Sequence, residues 1–160
     1  MLETLLPGAQ HLQNLHPLVV HFPLALLPSA GLVYLLAWAS GRESWAWTAL
    51  WLLVLGTVSG AVAAGTGLYA EDGVMVDPSV RERLLDPHER WMLATVGLSG
   101  LATAWALWRR PFPLRARGAF VLLLFATLAV MAYGADHGGR MVYDYNAGGS
   151  ACGQPIEFTR

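Results

Sequence analysis

Four apolar runs, each close to the ~20 residues needed to cross a hydrocarbon core, take up more than half of this chain and constrain it more than any other feature. They extend over about residues 17–40, 45–69, 87–108 and 118–135. Pro23, Pro28, Gly56 and Gly60 lie inside them, where they would be awkward in a soluble helix but are ordinary in a membrane one. Only 13% of the residues are charged, against about 25% in a typical soluble domain. Too little polar surface exists to coat a water-soluble globule, so lipid is the expected solvent. The expected fold is all-α: an integral membrane four-helix bundle forming one domain over residues 1–160, with a short tail over 136–160. Gly56, Gly60 and Ala64 form a small-xxx-small series suited to close helix packing. The sequence shows no convincing internal repeat.

Even span number puts both termini on one side, together with the loop around 71–86. Lysine is absent and the ten cations are arginines, five on each side. Density breaks the tie, because Arg109, Arg110, Arg115 and Arg117 crowd one juxtamembrane loop. That loop is expected in the cytoplasm and both termini outside. Trp38, Trp45, Trp47, Trp105 and Trp108 cluster at the arginine-rich ends as an aromatic belt. The net charge of −1 argues against a nucleic-acid partner. Cys152, the single cysteine, rules out an intramolecular disulfide and a Cys-rich metal site, and reads as a free thiol. The opening MLETLLPGAQHLQNLHP lacks a basic n-region and a small-residue cleavage site, so it does not read as a cleaved signal peptide.

With the spans laid out, all five histidines fall at one end. His11, His16 and His21 lie before or just within the first span, His88 opens the third, and His137 closes the fourth. Asp86-Pro87-His88-Glu89 reads as a helix start, with Asp86 as N-cap, Pro87 at the first helical position and Glu89 completing a capping box. Pro17 places His16 at the cap of the first helix, and His21 follows about 7 Å deeper by helical rise. Gly138-Gly139 supplies a helix stop or a close backbone approach. An ionisable group within a span normally faces the bundle interior, so His21 is expected to point inward. His88, Met92, Thr95 and Ser99 share one face of the third helix, too polar for lipid and therefore also inward.

Three helices thus bring imidazoles toward one pocket. Two neutral imidazoles across a bundle hold a haem iron axially, and a bare copper or other transition metal also accepts them. The candidate ligands are His21, His88, His137 and His16. Arg90 and Arg140 are candidate partners for haem propionates. Each has a plainer alternative: His16 as a cap or interfacial residue, His11 as surface, His88 as a solvated first-turn residue, His137 bonded to a neighbouring loop, Met92 as packing. Glu71, Asp72 and Asp77 read most simply as a solvated loop.

Leu15-His16-Pro17-Leu18-Val19-Val20-His21-Phe22-Pro23-Leu24-Ala25-Leu26 resembles the LHPxxVHFPIAL signature of the DUF2231 family of predicted bacterial membrane proteins. His88 and the stretch Gly138-Gly139-Arg140-Met141-Val142-Tyr143 resemble that family's later histidine and its GGxLVY segment. The resemblance covers about residues 15–149. It implies a four-helix fold in a bacterial cytoplasmic membrane, and a suggested association with cytochromes and haem-binding bundles. His16, His21, His88, Gly138 and Gly139 match its motif positions. The chain departs from the family after Tyr143, where Asp144-Tyr145-Asn146-Ala147-Gly148 replaces a common xxGVGV ending.

The expected function is therefore a b-type haem-binding, electron-transfer subunit working with a redox partner protein or a larger membrane complex. The alternatives are a cofactor-free structural subunit and a metal-ion binding or transport protein. No nucleophile–base pair, phosphate-binding loop or carboxylate dyad points to an independent enzyme.

Overall fold

The computed structural model describes residues 15–71, 77–145 and 147. His11, Asp72 and Cys152 lie outside them. Four helices carry the described chain: α1 (His16–Ser40), α2 (Glu43–Glu71), α3 (Pro78–Trp108) and α4 (Leu114–Tyr145), each long and apolar enough to cross a membrane. No strand occurs among the described residues. α1 packs on α2, α2 on α3, α3 on α4, and α4 closes back on α1. In that order α1 and α3 stand diagonally opposite, as do α2 and α4.

The centre mixes large and small residues: Ala30, Ala49, Ala102 and Ala106 are fully buried beside Tyr34, Leu53 and Phe120, while Leu32, Trp51, Leu55, Val58, Leu101 and Leu122 stand exposed around the outside. Small residues let backbones approach where no hydrophobic force drives helices together, and lipid tails accept the large side chains. Gly56 and Gly60 serve this purpose: a Cβ at Gly56 would come within 2.8 Å of Leu27, while one at Gly60 would touch Pro23 and Val96 at 3.7 Å. The inward stripe of α3 is as its spacing predicts, with Thr95 and Ser99 buried and Met92 packed against the core.

The two ends are closed differently. At the arginine end Gly41 adopts a left-handed φ of 66°, the conformation glycine takes most cheaply after a helix, and lets α1 reverse into α2. Tyr34, Phe112, Phe120 and Trp105 stack there, with Tyr34 and Phe120 edge-on at 4.9 Å. The Tyr34 hydroxyl donates to the Pro111 carbonyl at 3.1 Å.

The histidine end departs from the sequence expectation in two places. α3 begins not at Asp86 but at Pro78, where Asp77 caps it by accepting from the Ser79 N–H at 2.8 Å. The helix then runs through a π turn, Arg81–Leu85, in which the Asp86 N–H bonds to the Arg81 carbonyl. Pro87 explains the turn, because a proline has no N–H to offer the carbonyl four residues back and its ring crowds it. A widened turn relieves both conflicts. The Asp86 side chain makes no cap bond. α4, in turn, does not stop at Gly138-Gly139 but continues to Tyr145, so 136–145 belong to the bundle rather than to a tail.

Candidate functional site

Each histidine at this end takes its setting from the helix beside it. His16, the first residue of α1, lays its ring on Gly67 of α2, where a Cβ would come within 2.9 Å of Cε1. Its Nδ1 lies 3.0 Å from the carbonyl of Ala63, one turn before that glycine, and 3.3 Å from the Thr66 hydroxyl. His88 repeats the arrangement on the other half of the molecule. Its ring rests on Gly138 of α4, where a Cβ would come within 2.8 Å, and its Nδ1 lies 2.8 Å from the carbonyl of Gly134, again one turn earlier. The two bonds span 47 and 46 residues of chain respectively. The hairpins α1–α2 and α3–α4 therefore carry the same histidine latch, a repeat by geometry that the sequence does not display.

His137 breaks the symmetry. It sits in α4 next to Gly138, at the place that Thr66 holds beside Gly67, and is buried at 8% exposure. Its Nδ1 lies 2.8 Å from the Tyr133 carbonyl one turn back, and its ring meets the Tyr133 ring at 4.8 Å, inclined by 62°. Tyr133 in turn meets Trp91 edge-on at 5.2 Å.

These contacts decide the tautomers. A carbonyl oxygen only accepts, so Nδ1 is the donor in His16, His88 and His137. A backbone carbonyl on Nδ1–H is also how a metal-binding imidazole is usually oriented from behind. All three rings lie at the same end of the bundle, His16 on the α1–α2 hairpin and His88 and His137 on the α3–α4 hairpin.

His21 is not part of it. Its side chain is exposed on the outside of α1, which corrects the expectation that it points inward. Five helical residues turn the chain by about 500°, or roughly 140° from the starting direction, so His16 and His21 cannot both face the interior. Arg90 is likewise exposed, two residues beyond an inward His88. Arg140 is exposed and pairs with Asp144 at 3.6 Å along its own helix. The acids of the loop are more structured than a solvated stretch: Asp77 is the α3 cap, and Glu71 pairs with Arg81, tying the end of α2 to the start of α3.

Among the described residues, no group of three or more His, Cys, Asp or Glu side chains is arranged to hold a metal ion. Ala63, Thr66, Gly67, Tyr133 and Gly134 complete the setting and were missed from sequence. The signal was there in outline, since Ala63-xxx-Gly67 and Gly134-xxx-Gly138 are further small-xxx-small pairs.

A family model described as predicted membrane protein (DUF2231) matches residues 12–151. The chain belongs to that family. This DUF2231 protein places the two histidines of its opening motif differently, His16 inward and His21 outward. No curated protein and no solved structure matches it.

Proposed function

We propose that this membrane protein is a b-type haem-binding subunit of electron-transfer type, with His16 and His88 as the residues that would hold the haem and His137 on the same end of the bundle. What supports the reading is the shared setting of the rings, on diagonal helices at one end of the bundle, each with Nδ1–H on a backbone carbonyl of the neighbouring helix, the way a ligating imidazole is usually oriented from behind. Haem, when bound, supplies one-electron redox chemistry. The protein's part is to orient the imidazoles through the Ala63 and Gly134 carbonyls and to surround them with apolar helices, which sets the potential through burial and ligand identity. The reading prefers haem to copper because only two imidazoles are required. On this reading the other end lies in the cytoplasm of a bacterial inner membrane and the histidine end outside, which the density of Arg109, Arg110, Arg115 and Arg117 in one loop supports.

A second reading has its own observation. Each latch already gives its ring a carbonyl and a glycine seat, which is sufficient for a purely structural role in a larger complex. Absorption spectroscopy of the detergent-purified protein separates the two. The haem reading expects a Soret band and an alpha band that appears on reduction. A colourless protein after expression with ample haem supply would sink it and leave the structural subunit.

A further inference from the structure

Beside the start of α3 and the end of α4 lies a cavity of about 280 Å³ lined by Val80, Arg83, Leu84, Arg140 and Tyr145. Its chemistry is divided. Val80 and Leu84 are buried and belong, with Leu85 and Met141, to a small apolar cluster separate from the main core, against which Tyr145 packs. The polar lining brings two guanidiniums from different helices. Arg83 is held in place by its own helix, Nε donating to the Ser79 carbonyl at 2.9 Å and Nη2 to the Ser79 hydroxyl at 3.1 Å. Those bonds orient the fork and use two of its five N–H groups. Among the described residues Arg140 is restrained only by Asp144 at 3.6 Å, a pair about half exposed on both sides and longer than a hydrogen bond. Arg81, on the same turn as Arg83, is paired with Glu71, so it does not share the cavity's charge.

We propose that this cavity binds a phosphate oxyanion, and that its source is the headgroup of an anionic phospholipid. Two arginines from separate elements line it, and a guanidinium is the planar fork that phosphate oxygens accept. Tyr145, a third lining residue, carries a phenol that can donate. The cavity sits where two membrane spans meet their polar ends, the depth at which lipid phosphates lie. The apolar base of Val80 and Leu84 has no use for inorganic phosphate, but suits the glycerol and upper acyl carbons below a headgroup. An occupant there bridges the first turns of α3 to the last turns of α4, next to the His88 latch.

The test uses the full chain in a neutral detergent, titrated with short-chain phosphatidylglycerol, short-chain phosphatidylcholine or inorganic phosphate, and read by native mass spectrometry. Phosphatidylglycerol is expected to bind at least about fivefold more tightly than phosphatidylcholine, with about fivefold lost for each of Arg83→Gln and Arg140→Gln, the weight of one arginine at an anionic surface. Arg90→Gln, exposed outside the cavity, is expected to leave binding unchanged and controls for general loss of charge. Far-ultraviolet circular dichroism confirms that the variants remain helical, and Arg83→Lys, which keeps the charge but not the fork, is expected to retain part of the preference should the glutamine variants fail to fold. Equal binding of the two lipids, or undiminished binding by the glutamine variants, overturns the site. Inorganic phosphate competing at concentrations equal to the lipid overturns the assignment to a headgroup.

Discussion

At the residue scale, neighbouring glycines have opposite duties. Gly138 is the seat of the His88 ring, whereas a Cβ at Gly139 would meet nothing within 4 Å. Gly138→Ala forces the ring off its carbonyl, losing an interhelical hydrogen bond worth about 0.6 kcal/mol on average and up to about 1.7 in a membrane bundle, besides the steric clash. Gly139→Ala meets no obstacle and gains up to about 1 kcal/mol of helix propensity. Thermal unfolding in detergent is expected to show a lower midpoint for the first variant and an unchanged or higher one for the second. Equal shifts would contradict the latch. His21 shows where residue-level reading fails: the cost of an ionisable group in a span predicts that it faces inward, but the helical angle from His16 overrides it, and an exposed imidazole within a turn or two of a span's end reaches the polar boundary instead.

At the element scale, the true start of α3 was hidden behind a stronger-looking signal. Asp86-Pro87 has the form of a cap followed by a first-turn proline, and Asp77-Pro78 has the same form with an apolar-poor segment after it. Local chemistry does not rank the two; the Glu71–Arg81 pair and the packing of Val80, Leu84 and Leu85 on Met141 favour the earlier one, with the π turn absorbing Pro87. Of the two readings of Gly138-Gly139, a helix stop or a close approach, the second holds at Gly138, where His88 of α3 supplies the contact, while the helix continues to Tyr145. The Asp77 cap carries a pH prediction. Hydrogen bonds from Ser79, its side chain first and its backbone N–H second, hold the Asp77 carboxyl below the usual carboxylate range. A carboxyl whose folded pKa is depressed contributes stability that is complete above the unfolded value of about 3.9 and is lost as pH falls through the lower folded value. Exchange of the Ser79 amide is therefore expected to stay protected at neutral pH and to open up under acid, with Asp77→Asn abolishing the acid dependence. A pH-independent wild type would contradict the cap.

At the scale of the whole molecule, most of the architecture was legible. Span number, approximate limits, the inward face of α3 and the small-residue packing all follow from apolar run length and the demands of lipid. The repeated latch was not, because it consists of one ring and one turn of a neighbouring helix in each half, marked in the sequence by no more than the pairs Ala63-xxx-Gly67 and Gly134-xxx-Gly138. Which end faces the cytoplasm is a prediction of arginine density. Single cysteines introduced at Ser44 and Ser79 in a Cys152→Ser background are expected to react oppositely to a membrane-impermeant maleimide in intact cells, Ser79 labelled and Ser44 protected. The reverse pattern would invert the orientation.

The central claim is that the inward pair His16 and His88, not the outward His21, holds a haem. Haem content per polypeptide, measured for His16→Ala, His88→Ala and His21→Ala purified side by side, tests it most directly. The account predicts near-complete loss for the first two and wild-type content for the third; retention by both His16→Ala and His88→Ala, or loss confined to His21→Ala, would contradict it.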